Sequence, residues 1–429
     1  VETTTSSALL TDHYELTMLQ AALRDGTASR RVVFEVFARH LPGERRYGVV
    51  AGIGRLLEIL PDFRFGEDDL AFLRENRVVD EPTLEFLAGY RFSGSLSGYR
   101  EGECYFPGSP IVTVEGTFAE TVLLETVVLS ILNHDCAIAT AASRMVHAAG
   151  SRPIIEMGSR RTHEEAAVAA ARAAYVSGFA STSNLMAGRR YGVPTAGTAA
   201  HAFTLLHDSE RQAFRAQLDA LGTGTTLLVD TYDVAEAVRI GVELAGPDLG
   251  AIRLDSGDLG ELACEVREQL DALGAHKTRI VVTSDLDEYA IAALAAAPVD
   301  GYGVGTALVT GSGAPTAALV YKLVAREDAD GVMRPVAKRS VGKPSRGGRK
   351  EAYRRLDPSG TAVAELVVVS GERPADARPL RAELVRRGEV VGRESLDAGR
   401  ERHRGAFAEL PLTAHQLSRG DAAIPTVFD

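Results

Sequence analysis

Residues 251–260 read AIRLDSGDLG, and the fold can be worked outward from them. Ala251, Ile252 and Leu254 make a short apolar run that Ser256 and Gly257 break. Asp258 then stands where a helix would begin, ahead of Leu259, Leu262, Ala263, Val266 and Leu270 at helical spacing. The spacing predicts a strand, a tight turn and a capped helix. Arg253 and Asp255 are two apart, so they point to one side of the strand. Charges at the end of an apolar strand need partners if they are to be buried. They form either a structural ion pair or the floor of a pocket for an anionic or ribose-bearing ligand.

The same unit recurs on both sides. Strands are predicted at 153–157, 181–183, 195–198, 226–229, 251–254, 279–283 and 301–304. Helices are predicted at 164–177, 234–244, onward to 273, and 286–297. Alternation at this spacing predicts βα units and a parallel sheet. About seven units approach the count of a closed barrel, so the fold class is α/β with an irregular (β/α) barrel. An open doubly wound sheet is the alternative.

The flanks read differently. Residues 1–119 suggest an N-terminal α+β domain. It has a helix that Thr11 or Asp12 can cap, a strand at 31–39, a helix at 47–60, charged helical sequence to 90 and short strands at 92–114. Residues 120–150 form an apolar helical stretch in which His134 is expected to be a satisfied core histidine. The barrel-like catalytic domain is placed at 120–325. The C-terminal segment, 326–429, is expected to pack back on the first domain and complete a second α/β domain. It offers strands such as AELVVV at 364–369 and a helix near 375–387.

A chain of 429 residues argues for two or more domains. Hydrophobic content of 45% and charge of 24% are those of a globular protein with a sizeable core. A net charge of −11 argues against nonspecific nucleic-acid binding, so any phosphate must be held locally. Cys104, Cys136 and Cys264 are odd in number and lack a CxxC, which suggests neither a disulfide framework nor a zinc site. No stretch reads as long enough to cross a bilayer, and no signal-like segment is visible. A cytoplasmic protein with no membrane partner is the expectation.

Polar and Gly-rich positions collect just after the predicted strands. They are Gly158-Ser159-Arg160-Arg161, Ala196-Gly197-Thr198 with His201 beyond, Asp230 with Thr231, Arg253 with Asp255, Ser284-Asp285, and Gly303-x-Gly305-Thr306. The carboxyl ends of the strands are where barrel and open α/β enzymes keep their sites. Glycines at 303 and 305 would let backbone N–H groups approach a phosphate, and Thr306 adds a hydroxyl. The GxxxxGK[ST] loop is absent, since Gly342-Lys343 has no glycine five positions earlier. His201 can act as base or nucleophile, or simply pack at a helix entry. Arg160 and Arg161 can fork onto a carboxylate or phosphate, or pair on the surface.

Taken together, LLTDHYELTM at 9–18, GSRRTHEEA at 158–166, GTAAHAF at 197–203, VDTYD at 229–233, RLDSGDL at 253–259, GVGTALVT at 303–310 and VYKLV at 320–324 resemble the nicotinate phosphoribosyltransferase family. The resemblance implies a type II phosphoribosyltransferase fold. It also implies joining of nicotinate to 5-phosphoribosyl 1-diphosphate, with ATP hydrolysis coupled to the reaction and Mg²⁺ as cofactor, as an entry step of NAD synthesis. It makes His201 the histidine phosphorylated by ATP and puts Asp255 near the ribose hydroxyls. Tyr14 and Arg253 become nicotinate contacts, with Arg160 also on substrate and Thr198 beside the histidine. Gly303, Gly305 and Thr306 become the ribose 5-phosphate loop. A homodimer with shared sites is implied, Tyr14 reaching into the partner. The nicotinamide-using relatives carry an aspartate in the segment matching 179–184, where Ser183 stands here. Serine can donate to a carboxylate that aspartate would repel, which favours the acid. The alternatives are a nicotinamide or quinolinate phosphoribosyltransferase, or a non-catalytic nucleotide sensor on the same fold.

Overall fold

The computed structural model describes residues 8–338, 346–369 and 374–429. Gly342-Lys343 lies outside the described residues. The chain divides into two units, Ala141–Gly313 and the combination of Val1–Thr140 with Ala314–Asp429.

Ala141–Gly313 is built on six parallel strands. Their order across the sheet is Ser181–Thr182, Ile154–Glu156, Gly301–Val304, Arg279–Thr283, Ala251–Leu254 and Thr226–Leu228. The last strand of this unit, Gly301–Val304, pairs with its first, Ile154–Glu156, as a curling sheet requires. Thr182 adds a parallel bridge to Thr195. Among the described residues no pairing joins that edge to Thr226–Leu228, so the irregular barrel stays open at one seam. The strand expected at 195–198 is only this bridge. Pro194 has no N–H to give a ladder, and the chain leaves the sheet after Ala196 N donates to Thr182 O.

Asp258 caps the helix Leu259–Ala272 as its position predicts, accepting from the N–H of Gly260 and Glu261. Such a cap contributes about 1 kcal/mol. Ala263, Val266 and Leu270 are its buried face. The helix expected at 286–297 is shorter, Glu288–Ala293, because Asp287 caps it and a 3-10 turn, Leu294–Ala296, closes it.

The other unit centres on a seven-stranded antiparallel sheet. Its order is Met333–Pro335, Leu319–Glu327, Arg31–Ala38, Val112–Thr117, Ser95–Tyr99, Arg381–Arg386 and Glu389–Val390. A four-stranded sheet adds Ala377–Pro379, Glu351–Leu356, Ala362–Val368 and Thr426–Phe428. The C-terminal segment therefore completes the second α/β unit by pairing within it. The division falls at 140 and 313 where 119 and 325 were expected. Val128, Ile131, Leu132 and Cys136 of the helix Glu125–Ala149 belong to the same core as Phe34 and Leu56. Leu319–Glu327 pairs with Arg31–Ala38, which draws the other boundary earlier.

Three readings of this unit change. The helix expected at 47–60 is Ile53–Ile59, because Gly52 turns the chain at φ +93° and Gly48–Val49 pairs with Cys104–Tyr105. The helix expected near 375–387 is two strands. Arg381–Arg386 pairs with Ser95–Tyr99 and buries Leu384 and Val385, and this pairing overrides the helix propensity of Ala, Glu, Leu and Arg. The helix of this region is Leu396–Ala408, capped by Ser395. His134 is satisfied by Asp135 at 2.8 Å but is half-buried rather than core.

Contrary to the sequence reading, Phe118–Ala149 is long and apolar enough to cross a membrane. Two thirds of its most apolar window is buried inside the protein, which accounts for that composition.

Candidate functional site

The carboxyl ends of the parallel strands bring the unusual residues together. Arg253 is the third residue of Ala251–Leu254, and its Nη1 donates to Thr198 Oγ1 at 2.5 Å and to Ala199 O at 3.1 Å. Its Nε is buried with no hydrogen-bond partner in the structure. Burial pulls the guanidinium pKa down, Asp255 and Asp230 oppose this, and the charge of Arg160 lowers it further. An arginine so placed remains a cation. Two guanidiniums near each other, one with an unused N–H, make a site that favours an anion.

Asp230 stands two residues past Thr226–Leu228, and its side chain is almost fully buried. Its Oδ2 accepts from Asp255 N at 3.0 Å and Ser256 Oγ at 2.6 Å, so it fixes the turn after the Arg253 strand. Its Oδ1 has no hydrogen-bond partner and lies 3.8 Å from His201 Nε2. The other imidazole nitrogen, Nδ1, is 3.1 Å from Thr231 Oγ1. His201 keeps 38% of its side chain exposed, so it can meet a ligand from solvent. Asp255 Oδ1 accepts from Thr283 Oγ1 on the neighbouring strand.

An open cleft continues from Asp255. It is lined by Met157, Arg160 and Arg161, by Thr283, Ser284 and Asp285, and by Gly303, Gly305 and Thr306. His201, Thr198 and Arg253 stand outside this lining, joined to it through Asp255 and the charge of Arg160. A Cβ on Gly303 would lie 2.5 Å from Thr283 Cγ2 and 2.8 Å from Met157 Sδ, so strand packing demands this glycine. Gly305 precedes the short helix Thr306–Val309, whose first N–H groups have no acceptor within the helix. Thr306 is exposed at the mouth.

Two expected residues are not among those that line this cleft. Ser183 follows Ser181–Thr182, is exposed, and is not among the cleft-lining residues; its N–H donates to Glu156 O at 2.8 Å. Tyr14 belongs to the other unit, on the helix His13–Asp25, where its hydroxyl bonds Glu125. Burial and that carboxylate push the phenol pKa up.

Asp230 is a strand-end residue that the sequence displays without showing its dual contact. Glu156 went unnoticed. It is fully buried, accepts from Gly158 N at 2.5 Å and from Thr182 Oγ1, and burial raises its pKa. Its signal was a lone carboxylate inside the apolar run PIIEM.

Fold and cleft define an irregular α/β barrel of the kind enzymes use, with an open cleft lined by two arginines at the carboxyl ends of its strands. Comparison with known proteins narrows this. Residues 9–133 match the model of the nicotinate phosphoribosyltransferase N-terminal domain, and residues 138–312 match that of the quinolinate phosphoribosyl transferase C-terminal domain. Nicotinate phosphoribosyltransferase pncB1 of Mycobacterium tuberculosis is 61% identical over 431 residues, covering 98% of this chain and 95% of its own. The Bacillus subtilis nicotinate phosphoribosyltransferase is 38% identical over 388 residues, covering 88% and 79%. The crystal structure of human nicotinic acid phosphoribosyltransferase superposes with a TM-score of 0.84 at 26% identity, covering 98% of this chain and 97% of that one. The chain belongs to the nicotinate phosphoribosyltransferase family.

Proposed function

We propose that this enzyme joins nicotinate to 5-phosphoribosyl 1-diphosphate, giving nicotinate mononucleotide and diphosphate, with ATP hydrolysis coupled through His201. The observation that carries the choice of an acid is the unused, buried Nε of Arg253 beside Arg160. A carboxylate is the ligand group that satisfies such a donor and offsets both charges.

The pyridine nitrogen is itself the nucleophile, so no general base is needed. Its lone pair forms the bond to the ribose anomeric carbon as the bond to diphosphate breaks. Positive charge builds on the sugar, and Asp255, oriented by Thr283, lies where a carboxylate can hold ribose hydroxyls and offset that charge. Arg161 lines the same cleft and can take the leaving diphosphate, which leaves Arg160 to the carboxylate. Gly305 and Thr306 offer N–H and hydroxyl donors to the 5-phosphate. Mg²⁺ is commonly held by one or two carboxylates plus substrate phosphates, a donor set that Asp255 and Asp285 can supply here. When bound, it would neutralise diphosphate charge.

His201 has another task. Its exposed imidazole can accept a phosphoryl group from ATP, and the added charge would shift the neighbouring loops toward a tighter-binding arrangement until hydrolysis releases product. Ser183 is assigned to the acid-over-amide preference. A homodimer with shared sites is supported by the exposed row Leu10, Tyr14 and Met18, from which Tyr14 would enter the partner. Free Cys104, Cys136 and Cys264 support a reducing, cytoplasmic setting.

The match of residues 138–312 to the quinolinate domain model favours one second reading, in which Arg161 serves a second carboxylate. A product assay decides, using nicotinate, nicotinamide and quinolinate, each with and without ATP. Nicotinate mononucleotide formed from nicotinate and accelerated by ATP is expected. Product from quinolinate alone would refute the proposal.

A further inference from the structure

Glu156 is buried at the end of its strand, and no cation pairs with it among the described residues. A lone buried carboxylate is costly unless its oxygens are hydrogen-bonded. Here both oxygens are used, and their donors come from the ends of two neighbouring strands. Oε1 accepts from Gly158 N at 2.5 Å, and Oε2 accepts from Thr182 Oγ1. Thr182 Oγ1 in turn accepts from Asn184 N at 2.9 Å. Asn184 Nδ2 donates to Ser159 Oγ at 2.9 Å, and Ser159 is the residue after Gly158. The chain of contacts closes on itself. A ring of Glu156, Gly158, Ser159, Asn184 and Thr182 ties the loop that carries Arg160 to the loop that carries Ser183.

A third loop is seated on this ring. A Cβ on Gly158 would strike Val309 Cγ1 at 2.3 Å and lie 3.2 Å from Gly305 O. A Cβ on Gly305 would lie 3.2 Å from Met157 O. The glycine turns are therefore pressed together, and Met157 N donates to Val304 O at 2.7 Å just behind them. Only a carboxylate gives two acceptors at this fixed spacing, since an amide offers one acceptor and one donor.

We infer that Glu156 is a positioning residue that sets the separation of Arg160 from Ser183, and with it the selectivity between pyridine acid and pyridine amide. This rests on the nicotinate reading above. In Glu156→Gln the amide oxygen can still accept from Gly158 N, but Nε2 can meet Thr182 Oγ1 only as a donor, which leaves the hydroxyl proton without its acceptor, removes the charge from both bonds and weakens the tie between the loops. Displacement of a binding group by a fraction of an ångström to one ångström can cost tenfold or more. Ser159→Ala opens the ring at its half-buried side and leaves the carboxylate and both its donors in place.

The test measures kcat and KM for nicotinate and for nicotinamide, with the melting temperature, in wild type, Glu156→Gln and Ser159→Ala. The expected result for Glu156→Gln is a nicotinate KM raised about tenfold. Its kcat should change less, and its ratio of acid to amide use should fall. Ser159→Ala should move in the same direction by a smaller factor. A purely structural role would lower melting temperature and active fraction and leave KM and the ratio alone, and that result overturns the inference. If Glu156→Gln fails to fold, Ser159→Ala decides by the same criterion. A wild-type protein that does not turn over nicotinate refutes the functional reading instead, a result distinct from any difference between wild type and variants.

Discussion

Arg253→Lys keeps the charge at the strand end and removes the guanidinium fork. Nη1 now serves Thr198 and Ala199, and Nε is the unused donor. A lysine ammonium can replace one of these functions but not both, because its donors lie at a single point. Loss of one charge-assisted hydrogen bond to a carboxylate is worth ~1.5–3 kcal/mol. At 1.4 kcal/mol per tenfold, the KM for nicotinate should rise roughly 10- to 150-fold. The KM for the phosphoribosyl donor should change far less, and nicotinamide use should hardly change, because the amide brings no charge to this pair. Steady-state assays varying each substrate in turn, with a melting curve as control, measure this. A folded variant with an unaltered nicotinate KM would refute the placement of the carboxylate.

Other outcomes follow from the same geometry. His201→Asn should abolish ATP stimulation and leave a slow ATP-independent transfer; unchanged stimulation in a coupled ATPase assay would remove the phosphohistidine role. Ser183→Asp should reduce nicotinate use more than nicotinamide use, and equal losses would reject its part in selectivity. Thr306→Val deletes one neutral hydroxyl donor at the cleft mouth and should raise the donor KM roughly two- to tenfold; no change would move the phosphate site elsewhere. His403 is buried, with Nδ1 3.1 Å from Gly102 O, and burial lowers its pKa from 6.5 to about 4. The unfolded chain therefore binds the extra proton between those values. The stability from the neutral imidazole is complete above pH 6.5 and is lost as pH falls toward 4, about 3 kcal/mol in all. His403→Asn should flatten melting temperature against pH across that window, and an unaltered slope would assign the acid loss to other groups.

The parallel sheet was legible because each strand is short, apolar and bounded by turn residues, and because its helices have a clear period. Asp258 as a cap and Arg253 with Asp255 on one side were readable from spacing alone. What spacing cannot show is which strands meet across the chain. The pairing of Arg381–Arg386 with Ser95–Tyr99 is non-local, and a segment rich in Ala, Glu, Leu and Arg reads as helix until its partner is known. Glu156 is hidden for a related reason: its two donors lie at the ends of separate strands. The glycine at 303 was read as a phosphate contact, yet Thr283 and Met157 already require it.

The sheet of the discontinuous unit places Arg31–Ala38 beside Leu319–Glu327, and Ser95–Tyr99 beside Arg381–Arg386. During synthesis the N-terminal strands leave the ribosome hundreds of residues before their neighbours exist. The Ala141–Gly313 barrel emerges whole in the interval and can fold first. Meanwhile the early strands hold bare edges, the condition that invites intermolecular pairing. A nascent chain therefore keeps those edges open to other chains until its final quarter, Ala314–Asp429, is translated, and a C-terminal truncation should injure the protein's solubility ahead of its chemistry.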